Sequence, residues 1–233
     1  MTEEEKRLQE TRESKGPLTR AGLTTPRAAA IAGIVFSLLL ILSLLLIWIS
    51  VPADPQEAGA WLPHSWKTVN LALHLLPFAG IAFLWFMGVL RDRIGAYEDR
   101  FFATVFLGSG LLFLAMLFAS SAVAGGIIMI YGATPAKLME SGLYKFGRTL
   151  TSQIMQVYTM KMAGVFMIST CTVSIRTGII PRWMALLGYV LALVLLLSLG
   201  YLYWIPLVFP LWVLLISVHI LLTNLKSRPA SNS

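Results

Sequence analysis

Residues 28–50 read AAAIAGIVFSLLLILSLLLIWIS, twenty-three positions without a charge. A membrane-spanning helix needs about 20 mostly apolar residues, because each adds about 1.5 Å and the hydrocarbon core is about 30 Å thick. This stretch meets that requirement by itself. It is also too long for the apolar region of a cleavable leader, and no small-residue cleavage site follows it cleanly. It therefore reads as a first spanning helix, stopped by Val51-Pro52-Ala53-Asp54-Pro55. Ahead of it, residues 1–27 read as a charged tail, disordered or lying on a surface. In that tail, residues 3–10 could form a short helix ended by Gly16-Pro17.

Five further apolar runs follow. The second extends over 69–90 and stops at Arg91-Asp92-Arg93. The third spans 101–126, with apolar residues continuing to Tyr131. That is too long for one straight span, so Gly125-Gly126 is expected to mark a kink or the exit from the core. The fourth, 152–175, is the least apolar. The fifth covers 183–202 and the sixth 205–222, with Pro206 and Pro210 near its start. Only a few residues separate the last two runs, which suits a tight hairpin or a re-entrant pair that never crosses. The fold class expected is all-α, a polytopic bundle of about six spanning helices in one domain, followed by a short tail over 223–233.

Composition agrees. Of 233 residues, 57% are hydrophobic and 12% charged, against roughly a quarter charged in soluble domains. The net charge of +7 does not indicate nucleic acid, because the basic residues sit at the ends of apolar runs rather than along one soluble face. Lys and Arg favour the cytoplasmic side of a membrane. With six spans, thirteen of them fall on the side of the two termini and four (Lys67, Lys137, Lys145 and Arg148) on the other. That predicts cytoplasmic N- and C-termini and supports an even number of spans. The lipid bilayer is the expected partner, and a homo-oligomer or a second membrane protein remains open.

On the outer side, Trp61, His64 and Trp66 suit interfacial aromatic anchors. Thr134-Pro135 suits a helix N-cap and first position, opening an amphipathic surface helix to about Phe146.

Polar residues inside the apolar runs are the candidate functional groups, since burying an ionisable group in lipid costs several kcal/mol. Lys161 lies about 13 Å below the outer surface. It shares its run with Gln153, Gln156, Tyr158, Thr159, Thr170, Thr172 and Ser174. Lys161, Gln156, Tyr158 and Thr170 are the candidate lining of a polar cavity; the alternative is a lysine that snorkels to the interface. A transporter predicts Lys161 in a solvated cavity, and an enzyme predicts polar side chains converging within hydrogen-bond reach.

His74 and His219 are weaker candidates. Their depths differ by roughly 13 Å, too much for one metal or haem, so no cofactor and no metal are expected. Ser109, in Gly108-Ser109-Gly110, could suggest an intramembrane protease. Rhomboid proteases carry Gly-x-Ser-Gly in the fourth span, and this serine is in the third, so close helix packing is the simpler reading. Small residues at Ala115 and Ala119, and at Ser121 and Gly125, have the same packing spacing. The single cysteine, Cys171, can form neither an internal disulfide nor a cysteine metal cage. No catalytic residue is assigned.

The loop Arg91-Asp92-Arg93-Ile94-Gly95, the run Glu98-Asp99-Arg100-Phe101-Phe102-Ala103-Thr104-Val105-Phe106-Leu107-Gly108-Ser109-Gly110, and Ile180-Pro181-Arg182-Trp183 together resemble an uncharacterised group of bacterial multi-pass integral membrane proteins over about residues 28–222. The resemblance implies a bacterial inner (cell) membrane and carries no activity. The function expected is that of a non-enzymatic, transporter-like or partner-binding bundle; the alternative is a membrane-embedded enzyme acting on a lipid-soluble substrate.

Overall fold

The computed structural model describes residues 26–52, 59–94, 100–178, 180–198 and 204–226. The charged tail of 1–25, the 95–99 portion of the arginine-rich loop, most of the hairpin between the last two runs, and the C-terminal tail lie outside the described residues. Among the described residues the chain is helical, with no strand.

The elements are α1 (Pro26–Ser50), α2 (Leu62–Ile94), α3 (Arg100–Ala133), α4 (Pro135–Glu140), α5 (Leu143–Gln153), a π-helical turn (Ile154–Thr159), α6 (Met160–Thr177), α7 (Arg182–Leu197), a 3-10 turn (Ile205–Leu207) and α8 (Val208–Lys226). Four of them, α1, α2, α3 and the 3-10 turn with α8, contain segments long and apolar enough to cross a membrane. The outside of the bundle matches that chemistry. Ile49, Phe78, Trp85, Met129, Leu186 and Leu197 all point outward with more than 60% of their surface exposed. Apolar groups of this size favour lipid over water.

Two sequence expectations shift at their edges. The third helix runs through Gly125-Gly126 to Ala133 without ending; beyond the glycines Met129 and Ile130 are exposed while Ile128 stays buried, so one face of the helix still packs on the core. The surface helix after Thr134 is shorter than expected. Thr134 O does accept the Leu138 amide at 3.2 Å, as a cap residue should. However, α4 ends at Glu140, Gly142 takes the left-handed conformation (φ 69°), and Leu143–Phe146 begin the next long helix.

The fourth apolar run therefore belongs to a helix that continues from Leu143 to Thr177. Its backbone stays right-handed helical at both joins with the π turn, at Gln153 and Met160. At 1.5 Å per residue it is about 50 Å long. The fifth run is shorter than expected: α7 stops at Leu197, where Ser198 turns extended (ψ 127°).

Packing runs α8–α1–α2–α3–α6–α7 from helix to helix, with α1 held most extensively by α2 and α8. The core is aromatic. Phe83 on α2 lies 4.7 Å from Phe36 on α1, 5.2 Å from Phe113 on α3, 5.1 Å from Phe166 on α6 and 5.7 Å from Phe209 on α8, centroid to centroid. All five rings are fully buried. Tilted and edge-on pairs at 4.5–7 Å are the favourable geometry for such rings. Close approach around them is made by missing side chains. A Cβ on Gly110 would strike Met87 Sδ, and one on Gly188 would strike Cys171 Sγ and lie 2.7 Å from Trp212 Nε1. Gly110 thus lets α3 close on α2, and Gly188 lets α7 close on both α6 and α8.

Candidate functional site

The aromatic core fills the middle of the bundle. Towards the end that carries Trp61 and Tyr144 the helices separate, and a cavity of about 510 Å³ opens between α1, α2, α3 and the α5–π segment. Binding pockets for small molecules span about 300–1,000 Å³. Three walls are mainly apolar: Leu44 and Ile47 from α1, Leu73 and Leu76 from α2, Leu117 and Ile128 from α3. From Leu117 to Ile128 the α3 wall runs for about 16 Å.

The fourth wall is polar. Arg148, Thr149, Thr151, Ser152, Gln153 and Gln156 line it, and Ser120 and Ser121 face them from α3. Ser120 Oγ donates to Thr151 O at 3.0 Å and so ties α3 to the polar helix. Ser121 Oγ donates to Leu117 O, within its own helix.

At the mouth, Tyr144 Oη accepts hydrogen bonds from Trp61 Nε1 (2.9 Å) and from Arg148 Nη1 (3.1 Å), and Arg148 Nη2 donates to Pro52 O at 2.6 Å. These contacts join the end of α1, the start of α2 and α5. Gly59 makes the approach possible. It takes φ +84°, and its bare Cα faces Met139, Leu62 and the Tyr144 ring at distances a side chain could not share.

Deeper in, two buried polar atoms lack a protein partner: Thr151 Oγ1 and Gln156 Oε1. The other end of the Gln156 amide donates to Ser152 Oγ at a long 3.4 Å. Turning the amide over would exchange the atoms and still leave one end unmatched. A buried polar group without a partner costs about 1–3 kcal/mol; the residues of both line the cavity, and the two atoms themselves are closed off from it.

The π turn adjoins them. Met155, Gln156 and Val157 from this turn line the cavity. A π turn frees a carbonyl from the regular ladder, and such turns are frequent at functional sites. Here Thr159, fully buried, donates its hydroxyl to Ile154 O five residues back at 2.8 Å.

The sequence candidates separate in space. Gln156 lines the cavity. Lys161 does not: its Nζ donates to Leu196 O at 2.7 Å and to Ser198 O at 3.4 Å. It therefore caps the C-terminus of α7, where the last carbonyls of a helix have no intrahelical donor and the helix dipole is negative. Tyr158 points outward, 59% exposed. Thr170 is buried and donates to Phe166 O on its own helix. Thr172 meets Tyr189 Oη at 2.7 Å, an α6–α7 contact.

His74 is exposed, its Nδ1 2.7 Å from Asn70 O. His219 is half-buried on α8. Ser109 Oγ donates to Val105 O at 2.6 Å, so its proton is committed to its own helix. No group of three or more His, Cys, Asp or Glu among the described residues could hold a metal ion.

Sequence reasoning passed over Arg148, Thr151 and Tyr144. Their signal was there: between 148 and 156 an otherwise apolar chain carries six polar residues in nine. No protein-family model, curated protein or solved structure matches the chain.

Proposed function

We propose that the protein is a six-span integral membrane protein of a bacterial inner membrane, with both termini cytoplasmic, which binds a lipid-soluble ligand in the cavity beside the π turn. The helix over 143–177 and α7 would supply the spans beyond the four that length and composition mark out. The charge bias of thirteen against four supports the orientation.

The observation that carries the binding reading is the cavity: about 510 Å³, three mainly apolar walls, and one wall rich in polar side chains. A binding or transport role fits it better than catalysis. Polar side chains do converge at the mouth, as the enzyme reading requires. Yet two of the three, Trp61 and Arg148, only donate hydrogen bonds, and an arginine does not release its proton in proteins. No described acid lines the cavity to serve as a general base. Lys161, committed to the end of α7, supports neither a transport pathway through this residue nor catalysis by it.

Native mass spectrometry of protein extracted gently from its own membrane tests the proposal. The expected result is a reproducible bound mass beyond bulk lipid, absent from a folded Leu117→Trp variant whose indole fills the cavity. Equal adducts on both proteins, or none on either, would reject it.

A further inference from the structure

The wall over 148–156 holds polar groups of two kinds. Some are already committed within the protein. Arg148 donates to Tyr144 Oη and to Pro52 O and holds a further interaction besides, so its guanidinium is occupied. Thr151 Oγ1 and Gln156 Oε1 are closed off from the cavity, and Ser120 Oγ is bonded to Thr151 O. The others are Thr149, Ser152 and Gln153, which line the cavity and are exposed. Spacings of three and four residues put them on one face of α5. Neither Thr149 nor Gln153 is hydrogen-bonded through its side chain to another described residue, and Ser152 Oγ accepts only the long contact from Gln156 Nε2 at 3.4 Å. No described Asp, Glu, Lys or His lines the cavity. What this face offers a ligand is therefore neutral.

We infer that the cavity takes an uncharged, single-chained lipid with a hydroxylated head, of the monoacylglycerol kind, its hydroxyls on Thr149, Ser152 and Gln153 and its chain among the leucines of α1, α2 and α3. This rests on the cavity being a ligand site. Each part has its physical reason. A side-chain hydroxyl both donates and accepts, and a primary amide has a donor end and an acceptor end. Ligand hydroxyls match both halves of that set. An ester carbonyl only accepts, and would leave the Gln153 oxygen without a donor. An ionised phosphate or carboxylate only accepts as well, and would bring its charge out of water to a site whose one guanidinium is occupied. A chain along the α3 wall, about 16 Å long, replaces contact with lipid by contact with protein. A cavity of about 510 Å³ is the size of a site for one small molecule, which suits one chain.

The test uses the full-length protein in amine-oxide detergent micelles, which bring no hydroxyl of their own. Monolauroylglycerol, methyl laurate, laurate and lauroyl lysophosphatidylglycerol are offered in turn, and the bound masses are read by native mass spectrometry. Monolauroylglycerol should be retained roughly tenfold more than methyl laurate, the ratio that one or two further neutral hydrogen bonds provide. It should also exceed both acidic probes. Thr149→Val and Gln153→Leu should each lower its retention several-fold and leave that of methyl laurate unchanged. Both positions are exposed and bond no described residue, so these variants should fold as wild type does.

Equal retention of monolauroylglycerol and methyl laurate, lost in Leu117→Trp, would overturn the hydroxylated head and leave the cavity as a ligand site. Stronger retention of laurate or of the lysophospholipid would overturn the neutral head. Unchanged retention in Thr149→Val and Gln153→Leu would overturn the place given to it. No retention of any probe by wild type would overturn this inference, and the cavity reading would then stand or fall on the mass found in protein from its own membrane.

Discussion

Replacing Lys161 by methionine should weaken the fold and leave the cavity intact. The ammonium donates to Leu196 O at 2.7 Å and more distantly, at 3.4 Å, to Ser198 O. A hydrogen bond from a charged donor contributes about 1.5–3 kcal/mol, and the longer contact adds little. Methionine keeps the length of the side chain and most of its packing, so the loss is electrostatic. It strands the last carbonyls of α7 in an apolar setting. Relief from holding a half-buried charge offsets part of this. The expected cost is about 2 kcal/mol, measured by helicity during titration from mild detergent into sodium dodecyl sulfate. Lys161→Arg, which keeps the charge, should recover at least half. Retention of the native ligand should match wild type, because Lys161 does not line the cavity. A Lys161→Met protein of unchanged stability that had lost its ligand would refute the capping assignment and restore the lysine as a binding group.

Thr159→Val should destabilise the protein by about 1 kcal/mol, more than Thr170→Val in the same titration. Thr159 serves a carbonyl five residues back in the π turn, whereas Thr170 bonds a carbonyl four residues back within regular helix. Gly188→Ala should cost about 1–3 kcal/mol by overpacking against Cys171 and Trp212. Adding Cys171→Ala should return part of that loss, and simple additivity of the two changes would refute the contact.

The apolar runs were legible because a bilayer imposes a length and a composition that twenty residues display by themselves. Gln156 was legible as a polar residue in an apolar run. The partners of Lys161 were not legible for a definite reason: its own helix shows a lysine at depth but not that α7 stops at Leu197 and presents carbonyls beside it. The end of one helix decides the role of a side chain thirty-five residues away. The cavity was hidden for the same reason. Arg148 counted only as an outer-side charge until Trp61, Tyr144 and Pro52 were brought around it by the fold. The π turn has no signature in residue type, because Ile154–Thr159 would suit an ordinary helix as well.

A π turn holds one residue more than the α turn it replaces, and each residue of an α-helix advances the face by about 100°. Ile154–Thr159 therefore sets the phase between two halves of one long rod. Below it, α6 turns Phe166 into the aromatic core; above it, α5 turns Arg148 and Thr151 towards the cavity. Rewinding this turn into regular helix with every residue kept would swing the upper half by about a quarter of a turn. Composition and hydropathy would barely change, yet the polar wall would face a neighbouring helix or the lipid. In a chain like this one, the winding of a six-residue segment matters more than its letters, and straightening it into regular helix would erase the site while every residue of it remained.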